Sequence, residues 1–335
     1  MNIVSYISKT TFLSLIFLIS CNTRTSKSVD TSVLSVNDTL HYKVTETLKV
    51  PLYFNLWDWK ITSNHIVFFH QGKEQYVTLY NIADTSMTYT IANKGKGNNE
   101  YLSCCWCKTK KDNEITLYDI MKSALHIYDI GNKNAPIIKS YTLPTDDSGL
   151  TLPYTSMVHY KNTQYLMKED GNETNLRLVD LNSGKEIASY HCVYRDNKQE
   201  PYTPYDYLFH VIDNKIILSY CYFDRIELLQ IKDNTLELIA AYGEKDNFNV
   251  PKDYDLLQYS YLYTATKDDN FYLLKSREGQ DEGDEILVLN ADTHKSSIIK
   301  LPIPIKLLNF DTKGRLVGYN ESDSGSVIYT FQEKE

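Results

Sequence analysis

The sequence predicts an all-β fold, a six-bladed β-propeller whose ring is closed by an N-terminal strand. Three observations carry that expectation. One short alternating strand ending in a polar turn, clearest as YVTLYNIAD at Tyr76–Asp84, recurs as ALHIYDIGN (124–132), NLRLVDLNSG (175–184), RIELLQIKDN (225–234) and EILVLNADT (285–293), with a degraded copy at SVIYTFQEKE (326–335). The middles of these copies, Asn81, Asp129, Asp180, Gln230, Asn290 and Thr330, lie 48, 51, 50, 60 and 40 residues apart. A period near 50 with about four short strands per repeat is the mark of propeller blades. Tyrosine, at 28 residues, is in excess, and Tyr suits pleated, half-buried strands.

Taken in order, the chain begins with Met1–Ser20, which reads as an export signal. Lys9 is its only charge, and the apolar run Phe12–Ile19 is too short to span a bilayer as a stable helix. It ends in Leu18-Ile19-Ser20-Cys21, which resembles a bacterial lipobox, making Cys21 the lipidated first residue of the mature chain. Ordinary cleavage near Ser20 and a retained anchor are the alternatives. Asn22–Leu40 holds eight Ser or Thr in 19 residues with no apolar period, the composition of a flexible tether. The expected division is therefore a lipoprotein signal at 1–20, a tether at 21–40 and a propeller at 41–335, anchored on the periplasmic side or the cell surface and touching the membrane only through lipid.

The first repeat shows four strands: Phe54–Ile61 innermost, Ile66–His70, Tyr76–Ile82 and Met87–Ala92 outermost, with Gln71-Gly72-Lys73 turning between the second and third. Four further repeats follow the same plan. The innermost strands are expected at Cys104–Lys108, Thr155–Tyr160, Tyr207–Ile212 and Leu262–Thr266. The sixth repeat supplies Leu307–Asp311, Arg315–Tyr319 and Val327–Phe331 and then ends. His41–Val50 precedes the first inner strand without belonging to it, and pairing it with the last blade closes the ring and removes an open edge.

After the first outer strand comes Gly95-Lys96-Gly97-Asn98-Asn99-Glu100-Tyr101. This run resembles the G-x-G-P-x-E-[FY] turn of the TolB-like six-bladed propeller lipoproteins of Bacteroidetes, a family of largely unknown function. Gly95, Gly97, Glu100 and Tyr101 match, and Asn98 stands where that family usually has Pro. The resemblance extends over the lipobox, the tether and all six repeats, and it implies a fold and a compartment but no reaction. Without the following helix and the Lys-Ser/Thr pair of a phosphate loop, Gly95, Gly97 and Glu100 read as a structural turn in which Glu100 binds nearby backbone amides.

Several function classes are excluded or left without support. A net charge of −8 argues against nucleic acid as a partner, because phosphate binding needs a dense basic surface. Apart from Cys21 there are five cysteines, 104, 105, 107, 192 and 221, an odd and irregular set that is no disulfide framework. On a strand, Cys104 and Cys107 point to opposite faces and cannot share a metal. A Cys192–Cys221 bridge between neighbouring blades remains open. The acidic run Glu278, Asp281, Glu282, Asp284 and Glu285 lacks calcium-loop spacing, leaving a solvated loop with weak calcium binding as its alternative; no other cofactor is expected. No linear catalytic motif is present.

The residues flanking the inner strands are the best candidates for a site, because those strands line the central channel. Trp57, Asp58, Trp59 and Lys60 sit on the first, Trp106 on the second, Tyr202, Tyr205 and Tyr207 lead into the fourth, and Tyr259, Tyr261 and Tyr263 into the fifth. Trp57, Trp59, Trp106, Tyr205, Tyr207, Tyr259 and Tyr261 are the expected ligand contacts, a ring of aromatics suited to stacking on a sugar or clasping a peptide. The alternative is that these rings simply pack between blades. The insertion Gly243–Gln258 is the loop expected to shape the site. The expected function is a non-catalytic binding or scaffold module for an envelope protein or glycan. The rival is a hydrolase or lyase working at the channel, with or without a metal.

Overall fold

The computed structural model describes residues 29–51, 56–70, 74–84, 87–109, 111–132, 134–143, 154–169, 175–192, 205–243, 253–322 and 325–334. The export signal, Cys21, Tyr202 and residues 244–252 of the insertion lie outside them.

The described residues form strands and one short 3-10 turn, Tyr254–Leu256. β1 (Thr31–Ser32) and β2 (Val36–Val50) come first. Then follow β3 (Leu56–Ile61), β4 (His65–His70), β5 (Gln75–Asn81) and β6 (Thr88–Asn93), which form one four-stranded antiparallel sheet. β7 (Cys104–Lys108), β8 (Glu114–Asp119), β9 (Ala124–Asp129) and β10 (Ile137–Thr142) share an eight-stranded sheet with β11 (Tyr154–Lys161), β12 (Gln164–Glu169), β13 (Asn175–Asp180) and β14 (Lys185–His191). β15 (Tyr207–Ile212), β16 (Lys215–Tyr220), β17 (Arg225–Lys232) and β18 (Thr235–Gly243) form a sheet that β1 extends at its edge. The last sheet holds β19 (Tyr261–Lys267), β20 (Asn270–Lys275), β21 (Gly283–Asn290), β22 (Ser296–Ile305), β23 (Leu307–Phe310), β24 (Leu316–Ser322) and β25 (Gly325–Glu333), with β2 between β22 and β25.

This is a β-propeller: largely antiparallel runs of strands stacked face to face, with β3, β7, β11, β15, β19 and β23 lining a shared central cavity. The burial of each strand follows from that stacking. A middle strand has a neighbouring sheet on both faces, so β4 (HIVFFH) and β5 (QYVTLYN) each bury five consecutive residues. An outer strand has water beside it, and β10 (IIKSYT) has no buried residue. The apolar cores lie between sheets. Val67, Phe69 and Tyr76 pack on Trp106, Ile115 and Tyr128, while Trp59 and Phe68 from the other face of the first sheet pack with Tyr319 and Phe331. β7 and β11 meet near the axis, pairing parallel at Met157 with Cys107 and Val158 with Lys108.

The N-terminal strand is longer than His41–Val50. It starts at Val36 and runs parallel to β22 from Val36 to His41, then antiparallel to β25 from Tyr42 to Val50. Thr31 and Ser32 pair with Ala241 and Tyr242 of β18. The reading of 21–40 as a continuous tether therefore shortens: Ser/Thr-rich composition hid a segment whose backbone is held by two sheet edges, with Leu34 and Leu40 packed on the cores beneath.

The cysteine pattern follows strand alternation. Cys104 packs in the core with Phe69 and Trp106, and Cys107 in the next one with Tyr118 and Met157. Cys192 and Cys221 are both buried and free, so the bridge between them is not formed. Each thiol is pushed well above the usual range by burial, its largest cause.

Candidate functional site

The ends of the first strands of the sheets surround a cavity of about 430 Å³. Its lining comes from the C-terminal parts of β3, β7, β11, β15, β19 and β23, and includes Asp58, Lys60, Lys108, His159, His210, Lys267 and Phe310. Those strands run parallel around an axis, so their C-terminal ends converge at one end of the molecule. There the side chains that alternate inward have no neighbouring sheet to pack on, and polar residues are tolerated in otherwise apolar strands.

The floor is built by three residues from three sheets. Tyr263 donates its hydroxyl to Asp58 Oδ1, which also accepts the Trp59 backbone N–H at 2.7 Å. Lys108 Nζ stands 3.7 Å from Asp58 Oδ2 and donates to the Thr264 carbonyl at 3.1 Å. The same ammonium lies 4.2 Å from the centre of the Tyr263 ring. Lys108 thus links β7 to both β3 and β19. Burial, and then the Asp58 charge, hold the Tyr263 phenol well above its usual pKa, so it remains a donor and is poorly suited as a base.

The walls carry further donors. Lys60 Nζ donates to the carbonyl of Lys111, in the turn between β7 and β8, and at 3.1 Å to that of Glu114, the first residue of β8. Desolvation draws its ammonium down to about 8 against the opposing pull of Asp112 and Glu114. The Val211 N–H donates to His210 Nδ1 at 2.9 Å, which leaves the imidazole proton on Nε2. His159 Nε2 donates to the Asn162 carbonyl at 2.9 Å. Asn309 donates to the Trp59 carbonyl at 3.0 Å and accepts from the Phe310 N–H at 2.8 Å. Lys267 rests over the Phe310 ring at 5.5 Å and forms no ion pair among the described residues.

Of the aromatics expected around the channel, Trp59 and Trp106 belong to this lining. Both are almost fully buried, Trp59 in the core between the first and last sheets. Trp57 is 45% exposed and packs on Phe69 with ring centres 5.4 Å apart. Tyr205, Tyr207, Tyr259 and Tyr261 stand at the opposite, N-terminal ends of β15 and β19. Tyr207 packs on Tyr220 and Phe209, Tyr205 on Phe223, and Tyr259 stacks on Tyr222 at 5.3 Å. Tyr261 is buried and donates to Asp224. Tyr205 and Tyr207 belong to one core between sheets and Tyr261 to the next, and none of the four lines the cavity. Sequence reasoning did not place Lys108, His159, His210 and Lys267 at a site; the available signal was a charged or imidazole side chain within, or at the end of, the apolar strands β7, β11, β15 and β19.

In the Gly95–Tyr101 turn, Glu100 Oε2 accepts the Gly97 N–H at 2.7 Å, and Lys122 donates to the carbonyls of Gly97 and Glu100. A Cβ at Gly95 would lie 2.0 Å from Glu100 Oε2, so the carboxylate occupies the space that glycine leaves. Asp119 completes the clasp by accepting from the backbone N–H groups of Leu102 and Met121 at 2.8 and 3.0 Å. In the acidic run, Asp281 pairs with Lys306 at 2.8 Å and Glu285 with Lys300. Among the described residues no group of three or more His, Cys, Asp or Glu is placed to hold a metal ion.

No protein-family model matches the chain, and no curated protein matches it. Solved structures do. A candidate exported protein of Bacteroides fragilis superposes with a TM-score of 0.57 at 11% identity, over 91% of this chain and 100% of that one. A member of the duf4221 family from Bacteroides vulgatus superposes with a TM-score of 0.55 at 12% identity, over 88% of this chain and 98% of that one. At these identities the likeness is one of fold.

Proposed function

We propose that the chain is a lipid-anchored, six-bladed propeller of the bacterial cell envelope, a non-catalytic module that binds an envelope protein or glycan through the cavity at the C-terminal ends of its first strands. The observation that carries the binding reading is the state of the cavity's ionisable groups. Asp58, Tyr263 and Lys108 are engaged with one another and with backbone, and Lys60 with two carbonyls. A reactive centre needs a nucleophile, a base and an orienting group directed at one open point. A cavity of this volume falls in the range of small-ligand sites.

The count of six is supported by strand grouping: β3–β6, β7–β10, β11–β14, β15–β18, β19–β22, and β23–β25 with β2. Closure is supported by the pairing of β2 with β25 and by Trp59 and Phe68 packing on Tyr319, at 6.3 and 6.4 Å between rings. The envelope location draws on the export signal, the Cys21 lipobox and the likeness to a candidate exported protein.

Pull-down from solubilised envelope with the full chain tests the module; a stoichiometric partner or a bound glycan is expected, and recovery of neither, together with silence on glycan and peptide arrays, refutes it. Palmitate labelling that persists in Cys21→Ala would refute the anchor. The rival hydrolase or lyase has one observation in its favour, the depressed Lys60 ammonium, which brings a base into reach near neutral pH. It requires turnover of a polysaccharide or ester that Lys60→Met abolishes.

A further inference from the structure

We propose that the cavity is built for an anion, and that its occupant is a carboxylate-bearing sugar such as a uronate or sialate. The inference rests on the binding reading above and adds the class of ligand. It follows from which hydrogen-bonding groups of the lining are engaged. The acceptors of the floor are occupied: Asp58 Oδ1 by Tyr263 and Trp59, its Oδ2 by the Lys108 charge, the Thr264 carbonyl by Lys108, and Asn309 Oδ1 by the Phe310 N–H.

The donors are in excess. An ammonium has three N–H groups. Lys108 uses one on a carbonyl and faces Asp58 with another, Lys60 uses two, and Lys267 makes no hydrogen bond or ion pair among the described residues. The buried Trp59 indole N–H has no acceptor among the described residues. Asp268 is the other carboxylate of the lining, and it lies exposed at the turn between β19 and β20. A protein with a net charge of −8 therefore gathers three lysines around one cavity. A low-dielectric cleft lined by one sign of charge concentrates the opposite ion.

Two features favour a sugar acid over a bare anion. The volume exceeds what one carboxylate needs, and beside its charged groups the wall carries both apolar or aromatic side chains (Ile61, Trp106, Val158 and Phe310) and the threonines Thr109, Thr264 and Thr266. Rings beside donors match a ligand with C–H faces and a charged substituent.

The test is calorimetric titration of the purified full chain with glucuronate, galacturonate and N-acetylneuraminate, each beside a neutral counterpart: glucose, galactose and N-acetylmannosamine. At least one acid is expected to bind with a dissociation constant on the order of 1 mM, as a monosaccharide's size allows, more weakly at higher salt. The neutral sugars are expected not to bind. Lys267→Gln, which removes a cation whose charge rests only over the edge of the cavity beside the Phe310 ring, is expected to weaken binding about tenfold or more with little change in melting temperature, and Lys267→Arg to retain it. Equal binding of neutral and acidic sugars overturns the anion assignment while leaving a binding module. Binding of triglutamate in place of every sugar acid overturns the sugar assignment. Acid binding untouched by Lys267→Gln places the site elsewhere and overturns the proposal. No binding by any sugar acid also overturns it, and the envelope pull-down then decides separately whether the module binds anything.

Discussion

Asp58→Asn should both loosen the protein and strengthen its hold on anions. The substitution keeps the side chain's shape and its acceptor oxygen for Tyr263 and Trp59 but removes the charge that faces Lys108. At 3.7 Å, and with an effective dielectric constant of about 20, that charge pair is worth about 4 kcal/mol before desolvation. Both side chains are largely buried, 11% exposed for Asp58 and 20% for Lys108. Removing one partner of such a pair leaves the other uncompensated, so a loss of about 2–4 kcal/mol is expected. In a chain of this size the melting temperature should fall by roughly 5–10 °C.

The assay is a double-mutant cycle by denaturant titration over wild type, Asp58→Asn, Lys108→Met and the pair. Because the residues act on each other, the double variant should be more stable than the sum of the singles by about 2 kcal/mol. Costs that add to within about 0.5 kcal/mol would refute the floor as described. The same single variant frees Lys108 from its counter-charge, so uronate affinity should rise as stability falls. A merely structural aspartate would lower both.

Further outcomes test other parts of the molecule. Below about pH 8 Lys60 is charged in the folded and unfolded chains alike; from there to its unperturbed 10.5 only the unfolded chain holds the proton, so stability from this group rises by roughly 3 kcal/mol across that window. Raised phenols and thiols act in the opposite sense, and the difference between wild type and Lys60→Met, followed by denaturant titration from pH 7 to 10.5, isolates the rise; a flat difference would contradict the desolvated site. Glu227 accepts from Tyr190 and Tyr220 at 3.0 Å each and pairs with buried Arg225 at 2.6 Å, so Glu227→Gln should cost about 3–5 kcal/mol by chemical denaturation. Gly243→Ala should be severe in the same measurement, since its Cβ would meet the Asp224 carbonyl oxygen at 1.8 Å in a backbone with φ +93°, whereas Gly95→Ala meets the movable Glu100 carboxylate in a backbone with φ +157° and should cost less, about 2 kcal/mol. Cys107, Cys192 and Cys221, buried with raised thiols, should stay unmodified by iodoacetamide in the native protein and react on unfolding.

Much of the architecture was legible because a strand buried on both faces can be filled in few ways. HIVFFH and QYVTLYN declare their burial by composition, and the spacing of the copies reflects a fixed number of strands between equivalent points. Val36–Leu40 was not legible. Its sequence, VNDTL, has the polarity of a linker, and it is a strand because the outer edge of β22 offers unpaired backbone groups, a cause located some 260 residues away.

The site was legible only in part, and the reason lies in the two ends of the channel. The tyrosines before β15 and β19 are large, frequent and conspicuous, yet size is what makes them useful between sheets: Tyr207, Tyr220 and Phe223 fill a core that smaller side chains would leave hollow. The functional signal lies in the less conspicuous residues toward the other end. Asp58, His159 and His210 interrupt apolar first strands and Lys108 and Lys267 end two others, and each such polar group is unfavourable there unless something compensates it. His159 and His210 find backbone partners within three residues, and either alone would mean little. Asp58, Lys108 and Tyr263 compensate one another only because β3, β7 and β19 meet, and that they do meet is a property of the ring rather than of any strand. A search for polar residues at equivalent depths of successive repeats would therefore find such a cavity where a search for aromatic residues finds the walls that support it.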